Sequence, residues 1–211
     1  MIPLSDDNST RKTTPVVTYV LITLNVLFFF LEMGGGEEFV KQWAFTPRRF
    51  LANPGADFIT IFTSMFMHAG IAHLLGNMLY LWIFGDNVED RLGKLPFLIF
   101  YLVCGIAATF SQLAFDPQSD LPNVGASGAI AGILGAYILF FPSGKVNVLF
   151  ISSIVQLSSL IVIGFWFLLQ FISSMGAASD AEGSGGVAYM AHIGGFIAGM
   201  IIALFFKKST A

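Results

Sequence analysis

The sequence predicts an all-α membrane protein: a compact bundle of six transmembrane helices with a short central fourth helix and an interfacial first outer loop. Composition is the first reason. Of 211 residues, 55% are hydrophobic and only 11% charged, against roughly 25% charged in an average soluble domain. A single soluble core cannot hide that much apolar surface. The second reason is spacing between charges. Residues 13–31, 58–85, 95–115, 121–144, 146–179 and 183–206 form six uncharged stretches of at least 19 residues each, and a spanning helix needs about 20. The third is charge bias. If both termini are cytoplasmic, that side carries Arg11, Lys12, Arg91, Lys94, Lys145, Lys207 and Lys208, and the other only Lys41, Arg48 and Arg49. Basic residues favour the inner side.

Residues 1–12 read as a short, mobile cytoplasmic tail, followed by a membrane domain at 13–208 and a cytoplasmic end at 209–211. The first helix is too long for a removable leader and lacks a small-residue cleavage site. It is expected to stop near Met33, at the breaker Gly34-Gly35-Gly36. The connection 37–57 mixes Phe39, Trp43, Phe45, Phe50 and Leu51 with Arg48 and Arg49. That mixture suits the membrane interface on the outer side. A non-helical entry around Gly70 should precede the second helix, from about Ile71 to Gly85, and the charged run 86–94 reads as an inner loop. Helix three covers 95–115 and an outer loop 116–123. The short fourth helix runs from about Ser127 to Phe141. The fifth occupies much of 146–174. A Gly- and Ser-rich loop at 175–186 reads as mobile, and the sixth helix covers about 187–206, closed by Lys207 and Lys208.

Strongly polar side chains are costly in hydrocarbon and tend to mark function. The sequence places His68, His73, Asn77, Ser127 and His192 there. His73 and Asn77 are four apart, about 40° around a helix, and share a face. Gly195 and Gly199 form a GxxxG pair on the side of His192, and Gly128, Gly132 and Gly135 form a matching stripe beside Ser127. Such stripes let helices pack closely. By itself Ser127 fits that packing role better than a catalytic one. If the stripes meet, however, the hydroxyl and the imidazole come to one depth, with His73 and Asn77 as nearby donors. A serine needs a base to become a nucleophile, and the oxyanion it generates needs preorganised donors. No Asp or Glu falls within a helix near these residues, and Asp180 and Glu182 lie on the 175–186 loop. A dyad is therefore expected rather than a triad. His68 reads as structural, holding the entry to the second helix, and Cys104 as a small apolar filler. One cysteine supports neither an internal disulfide nor a cysteine-based metal site, and a net charge of −3 does not suggest a nucleic-acid partner.

Taken together, HAGIAHLLGN (68–77), VEDRLG (88–93), GASGA (125–129) and AHIGGFIAG (191–199) resemble the rhomboid family of intramembrane serine proteases, in order and over nearly the whole chain. The resemblance implies a rhomboid-like fold and a cofactor-free, metal-free endopeptidase. In it Ser127 is the nucleophile, His192 the general base, and His73, Asn77 and the Ser127 backbone N–H the oxyanion donors. It implies close helix packing at the site through Gly125, Gly128, Gly132, Gly195 and Gly199. Gly125, with Ala126, also leaves room for a substrate carbonyl. The implied partners are the lipid bilayer and transmembrane protein substrates, which the outer end of the fifth helix would admit. Phe165, Trp166 and Phe167 fall at that gate. The six-span form fits a bacterial plasma-membrane enzyme with cytoplasmic termini and a site opening outward. Many members carry an aromatic residue one turn after the serine, stacked on the histidine; here Ala131 takes that place, so Tyr189 or helix contacts are expected to steady His192. The competing readings are an inactive rhomboid-like binding or quality-control factor and a histidine-based transporter. The first is disfavoured because both Ser127 and His192 are present, the second by the lack of buried acids and of an inverted repeat. Substrate identity and oligomeric state are not encoded in these motifs.

Overall fold

The computed structural model describes residues 1–9, 11–179 and 188–206. Asp180, Glu182, Lys207, Lys208 and the end 209–211, together with most of the expected Gly- and Ser-rich loop, lie outside the described residues. In chain order the elements are β1 (Ile2–Asp6), α1 (Val16–Trp43), α2 (Pro47–Ala52), α3 (Pro54–Asp57), α4 (Thr60–Thr63), α5 (Ile71–Leu92), α6 (Lys94–Phe115) and α7 (Ser127–Phe140). They are followed by β2 (Lys145–Phe150), β3 (Ser153–Ser158), α8 (Ser159–Ser179) and α9 (Tyr189–Phe206). By length and composition α1, α6 and α9 can each cross a membrane. A fourth span is available where α5 joins the bent segment Pro54–Phe66 at 77°. Helix α7 and the Ser159–Ile172 part of α8 are shorter apolar helices.

The fold is mostly helical but not all-α. The expected tail forms β1, which pairs antiparallel with β2, and β2 pairs antiparallel with β3. The hairpin takes residues assigned from composition to the fifth helix, which therefore begins only at Ser159. The reason is visible in VNVLF and SIVQLS, β-branched runs without charge that an uncharged-stretch criterion cannot tell from a helix.

Helix α1 likewise runs past the three glycines to Trp43, with its one non-helical residue at Gly36 (φ 59°, ψ −148°). Only glycine adopts that conformation cheaply, so the breaker kinks the helix instead of ending it. Helix α5 continues through Asp86 and Glu89 to Leu92, and only Gly93 (φ 85°) separates it from α6. The charged run is thus a helix end and not a loop.

Glu89 explains that extension. Its carboxylate is buried and accepts from Val17 N–H (3.0 Å), Thr18 N–H (2.7 Å) and Thr18 Oγ1–H (2.8 Å). The first turn of α1 has unpaired N–H groups, and a carboxylate supplied by another helix satisfies them and faces the positive dipole end. Asp90 does the same for Thr13 N–H (2.7 Å) and Thr13 Oγ1–H (2.6 Å) just upstream. Glu89→Ala should cost about 2–4 kcal/mol, since charged hydrogen bonds are lost and buried donors are left unpaired. Glu89→Gln should cost less. Thermal melting in detergent checks both.

The small sheet is fastened through Asp6, whose carboxylate accepts from Tyr137 Oη–H (2.8 Å) and from Asn87 Nδ2–H. Burial pushes the Asp6 carboxyl up to about 6, against the lowering influence of Tyr137. An unfolded aspartate loses its proton near pH 4. Between about pH 4 and about 6 the folded protein therefore holds a proton that the unfolded chain has released. Stability falls as pH rises through that window and stays lower above it. Asp6→Asn should flatten this slope, removing ~1–2 kcal/mol of pH dependence after allowance for partial solvent access. Melting temperatures of both proteins at intervals from pH 4 to 7 measure it.

Helix α7 lies at the centre. Residues Gly128 to Tyr137 are all buried, as expected of a helix that is apolar on every face. Its neighbours α5, α6 and α9 enclose it. A Cβ on Gly199 would sit 2.5 Å from Gly132 Cα, one on Gly195 2.9 Å from Gly128 C, and one on Gly132 2.5 Å from Cys104 Sγ. The two glycine stripes therefore do meet, backbone against backbone, and Cys104 is buried against them.

Candidate active site

Ser127 is the first residue of α7, so its position is set by the loop before it. Asn123 N–H donates to Phe45 O (2.7 Å), Arg48 N–H to Ser119 O (3.1 Å) and Gly125 N–H to Ser64 O (2.9 Å), and Arg48 pairs with Asp120. These bonds tie the loop before the serine to residues 45–64. The first intrahelical bond of α7 is Ile130 N–H to Ala126 O (3.0 Å). The N–H groups of Ser127, Gly128 and Ala129 are consequently those a helix leaves unpaired, at its positive end.

Close approach of α7 and α9 brings His192 to the serine. Ser127 Oγ and His192 Nε2 are 2.7 Å apart, a distance at which a hydroxyl can pass its proton to an imidazole. Both line a cavity of about 840 Å³, with Glu32, His73, Asn77 and Trp166. His73 and Asn77 come from the first turns of α5, on one face as their spacing required. Asn77 Nδ2 is buried without a hydrogen-bond partner among the described residues, an idle donor in the cavity.

Gly125 has a different place from that expected. It precedes α7 with φ +133° and belongs to no helix–helix contact. A Cβ there would lie 2.9 Å from His73 Cε1, 3.0 Å from His73 Nε2 and 3.5 Å from Ser127 Oγ. The missing side chain leaves a small space flanked by the serine oxygen and an imidazole nitrogen. An oxygen atom placed there would meet a ring nitrogen beside the serine.

His68 lies outside this grouping. It is buried, its backbone N–H donates to Glu32 Oε2 (2.8 Å), and its ring meets that of His73 edge to face at 5.1 Å. Glu32 corrects the expectation that no acid lies near: it is in α1 and lines the cavity. Its carboxylate is engaged by the His68 backbone and not by His192. Charge-free stretches concealed it, because it follows directly on residue 31.

The ring of His192 is steadied from α8. Trp166 packs tilted against it at 5.8 Å between centroids, and Gln170 Oε1 lies 2.7 Å from Nδ1. The aromatic partner absent at Ala131 is thus provided by another helix, rather than by Tyr189. Gln170 was missed by sequence reasoning. It is a lone amide in the apolar run FWFLLQFI, and its cost in hydrocarbon was the available signal. Of the three aromatic residues expected at a gate, Trp166 lines the cavity, Phe167 packs on Phe196 at 4.4 Å, and Phe165 is exposed.

A family model described as the Rhomboid domain matches residues 55–209. The chain is 34% identical over 192 residues to Rhomboid protease GluP of Bacillus subtilis (strain 168), covering 90% of this chain and 34% of that protein. It is 30% identical over 207 residues to Rhomboid protein 1, mitochondrial, of Saccharomyces cerevisiae, covering 94% and 56%. It is 29% identical over 194 residues to Putative rhomboid protease YdcA of Bacillus subtilis, covering 90% and 87%. The chain therefore spans about a third of the first relative, about half of the second and most of the third.

Proposed function

Because the chain belongs to the rhomboid family, we propose that it is an intramembrane serine endopeptidase that cleaves transmembrane segments of membrane-anchored proteins. The observation that carries this reading is the 2.7 Å contact between Ser127 Oγ and His192 Nε2 at the floor of a cavity. His192 takes the hydroxyl proton as Ser127 attacks the scissile carbonyl, and returns it to the leaving amine. The carbonyl oxygen enters the space beside Gly125, where the Ser127 N–H, His73 Nε2 and the unspent Asn77 Nδ2 receive the developing charge. Donors fixed before the reaction contribute more than the same groups in solution, because they need no reorganisation when charge develops. A water molecule then repeats the sequence on the acyl-enzyme.

The family's topology, read with the distribution of Lys and Arg, supports six spans with both termini cytoplasmic and the cavity opening to the outer face of a bacterial plasma membrane. Substrates would pass α8, with Phe165, Trp166 and Phe167 at the passage. Purified protein in liposomes should cleave a reporter with a single apolar span and should be labelled at Ser127 by a fluorophosphonate probe. Folded protein that does neither would leave the inactive binding factor as the better reading.

A further inference from the structure

Resting on the Ser127–His192 reading, we propose that Gln170 is a positioning residue that fixes the tautomer of His192. The imidazole has an oxygen 2.7 Å from each nitrogen: Gln170 Oε1 at Nδ1 and Ser127 Oγ at Nε2. The amide oxygen can only accept, so Nδ1 carries the proton. Nε2 then has only its lone pair to offer, and the serine hydroxyl must donate to it. That is the arrangement a general base requires; the opposite tautomer would point an N–H at Ser127 and leave no base.

The placement of Gln170 supports the same role. It stands one turn after Trp166 on α8, so both reach the ring: the indole lies tilted against it and the amide oxygen meets Nδ1. When His192 becomes imidazolium, Nδ1–H keeps the same acceptor and no buried donor is orphaned. The acid of a three-residue serine site does this with a charge. An uncharged amide does it at a lower cost within an apolar helix, and Glu32, an acid that lines the cavity, accepts from the His68 backbone instead.

The test compares wild type with Gln170→Met, which keeps the volume and loses the acceptor, and with Gln170→Glu, which keeps an acceptor oxygen. Each is reconstituted in liposomes with the single-span reporter. Gln170→Met should melt near wild type and lower kcat about 10²- to 10³-fold with KM within about twofold, as expected when the ring loses its orientation and the imidazolium its Nδ1–H acceptor in addition to a share of the right tautomer. Gln170→Glu should recover most of that loss. ¹⁵N spectra of histidine-labelled protein supply a readout independent of turnover: wild type should show a single Nδ1-protonated form of His192 and Gln170→Met a mixture. Wild-type kcat in folded Gln170→Met, or an unchanged Nδ1-protonated signal in it, overturns the proposal. Absence of cleavage and probe labelling in wild type with the expected tautomer signals overturns the Ser127–His192 reading instead.

Discussion

Ser127→Ala should lower cleavage of a single-span reporter by about 10⁴-fold or more and abolish fluorophosphonate labelling, with the melting temperature essentially unchanged. The alanine removes one oxygen from the cavity wall and leaves the bonds of the preceding loop, the α7 backbone and the glycine contacts in place. His192→Ala should lose activity to a similar degree, because a hydroxyl without a base is a poor nucleophile. The double variant should be hardly worse than either single one, since residues that act as a unit are not additive. Any residual rate would report the oxyanion donors alone, so Asn77→Ala should reduce it further. Unchanged turnover in Ser127→Ala would remove the nucleophile assignment and with it the mechanism.

The second large effect concerns glycines. Gly199→Ala should destabilise the protein by about 1–3 kcal/mol, because its Cβ would fall on the Gly132 backbone at 2.5 Å, which cannot rotate away. Gly195→Ala should cost comparable stability and, in addition, activity. Gly195 lies three residues after His192 and meets Gly128, the residue after Ser127. Pushing the helices apart at this turn separates hydroxyl from imidazole, and displacements of about 1 Å are costly to catalysis. Gly164→Ala is the control. Among the described residues nothing lies within 4 Å of its would-be Cβ, so it should be neutral or stabilising by the ordinary helix preference of alanine. Melting curves and probe-labelling rates measured on all three decide it. Equal labelling rates for Gly195→Ala and wild type would show that close packing supports the fold without setting the site.

Much of the site was legible in the sequence because its signals are local. His73 and Asn77 share a face by spacing alone, and the stripes around Ser127 and His192 announce a close helix contact whatever their partner. Boundaries were less legible. VNVLF and SIVQLS are uncharged and read as part of a helix, and the charged run 86–94 reads as a loop. Its carboxylates in fact cap α1 from a helix end. Gly125 was grouped with the packing glycines because composition cannot report that its φ is +133°.

The sequence by itself determined that the chain is membrane-embedded, that it carries His73, Asn77, Ser127 and His192 into apolar helices, and that Ser127 and His192 belong to helices able to approach closely. Composition and periodicity suffice for those properties. Only the tertiary structure decided what surrounds His192: Trp166 against the ring, Gln170 on Nδ1, and Glu32 engaged by a backbone N–H instead. These depend on the rotation and depth of α8 and α1 relative to α9, which are set by packing across the bundle. A single polar residue in an apolar helix has no spacing that reveals its partner.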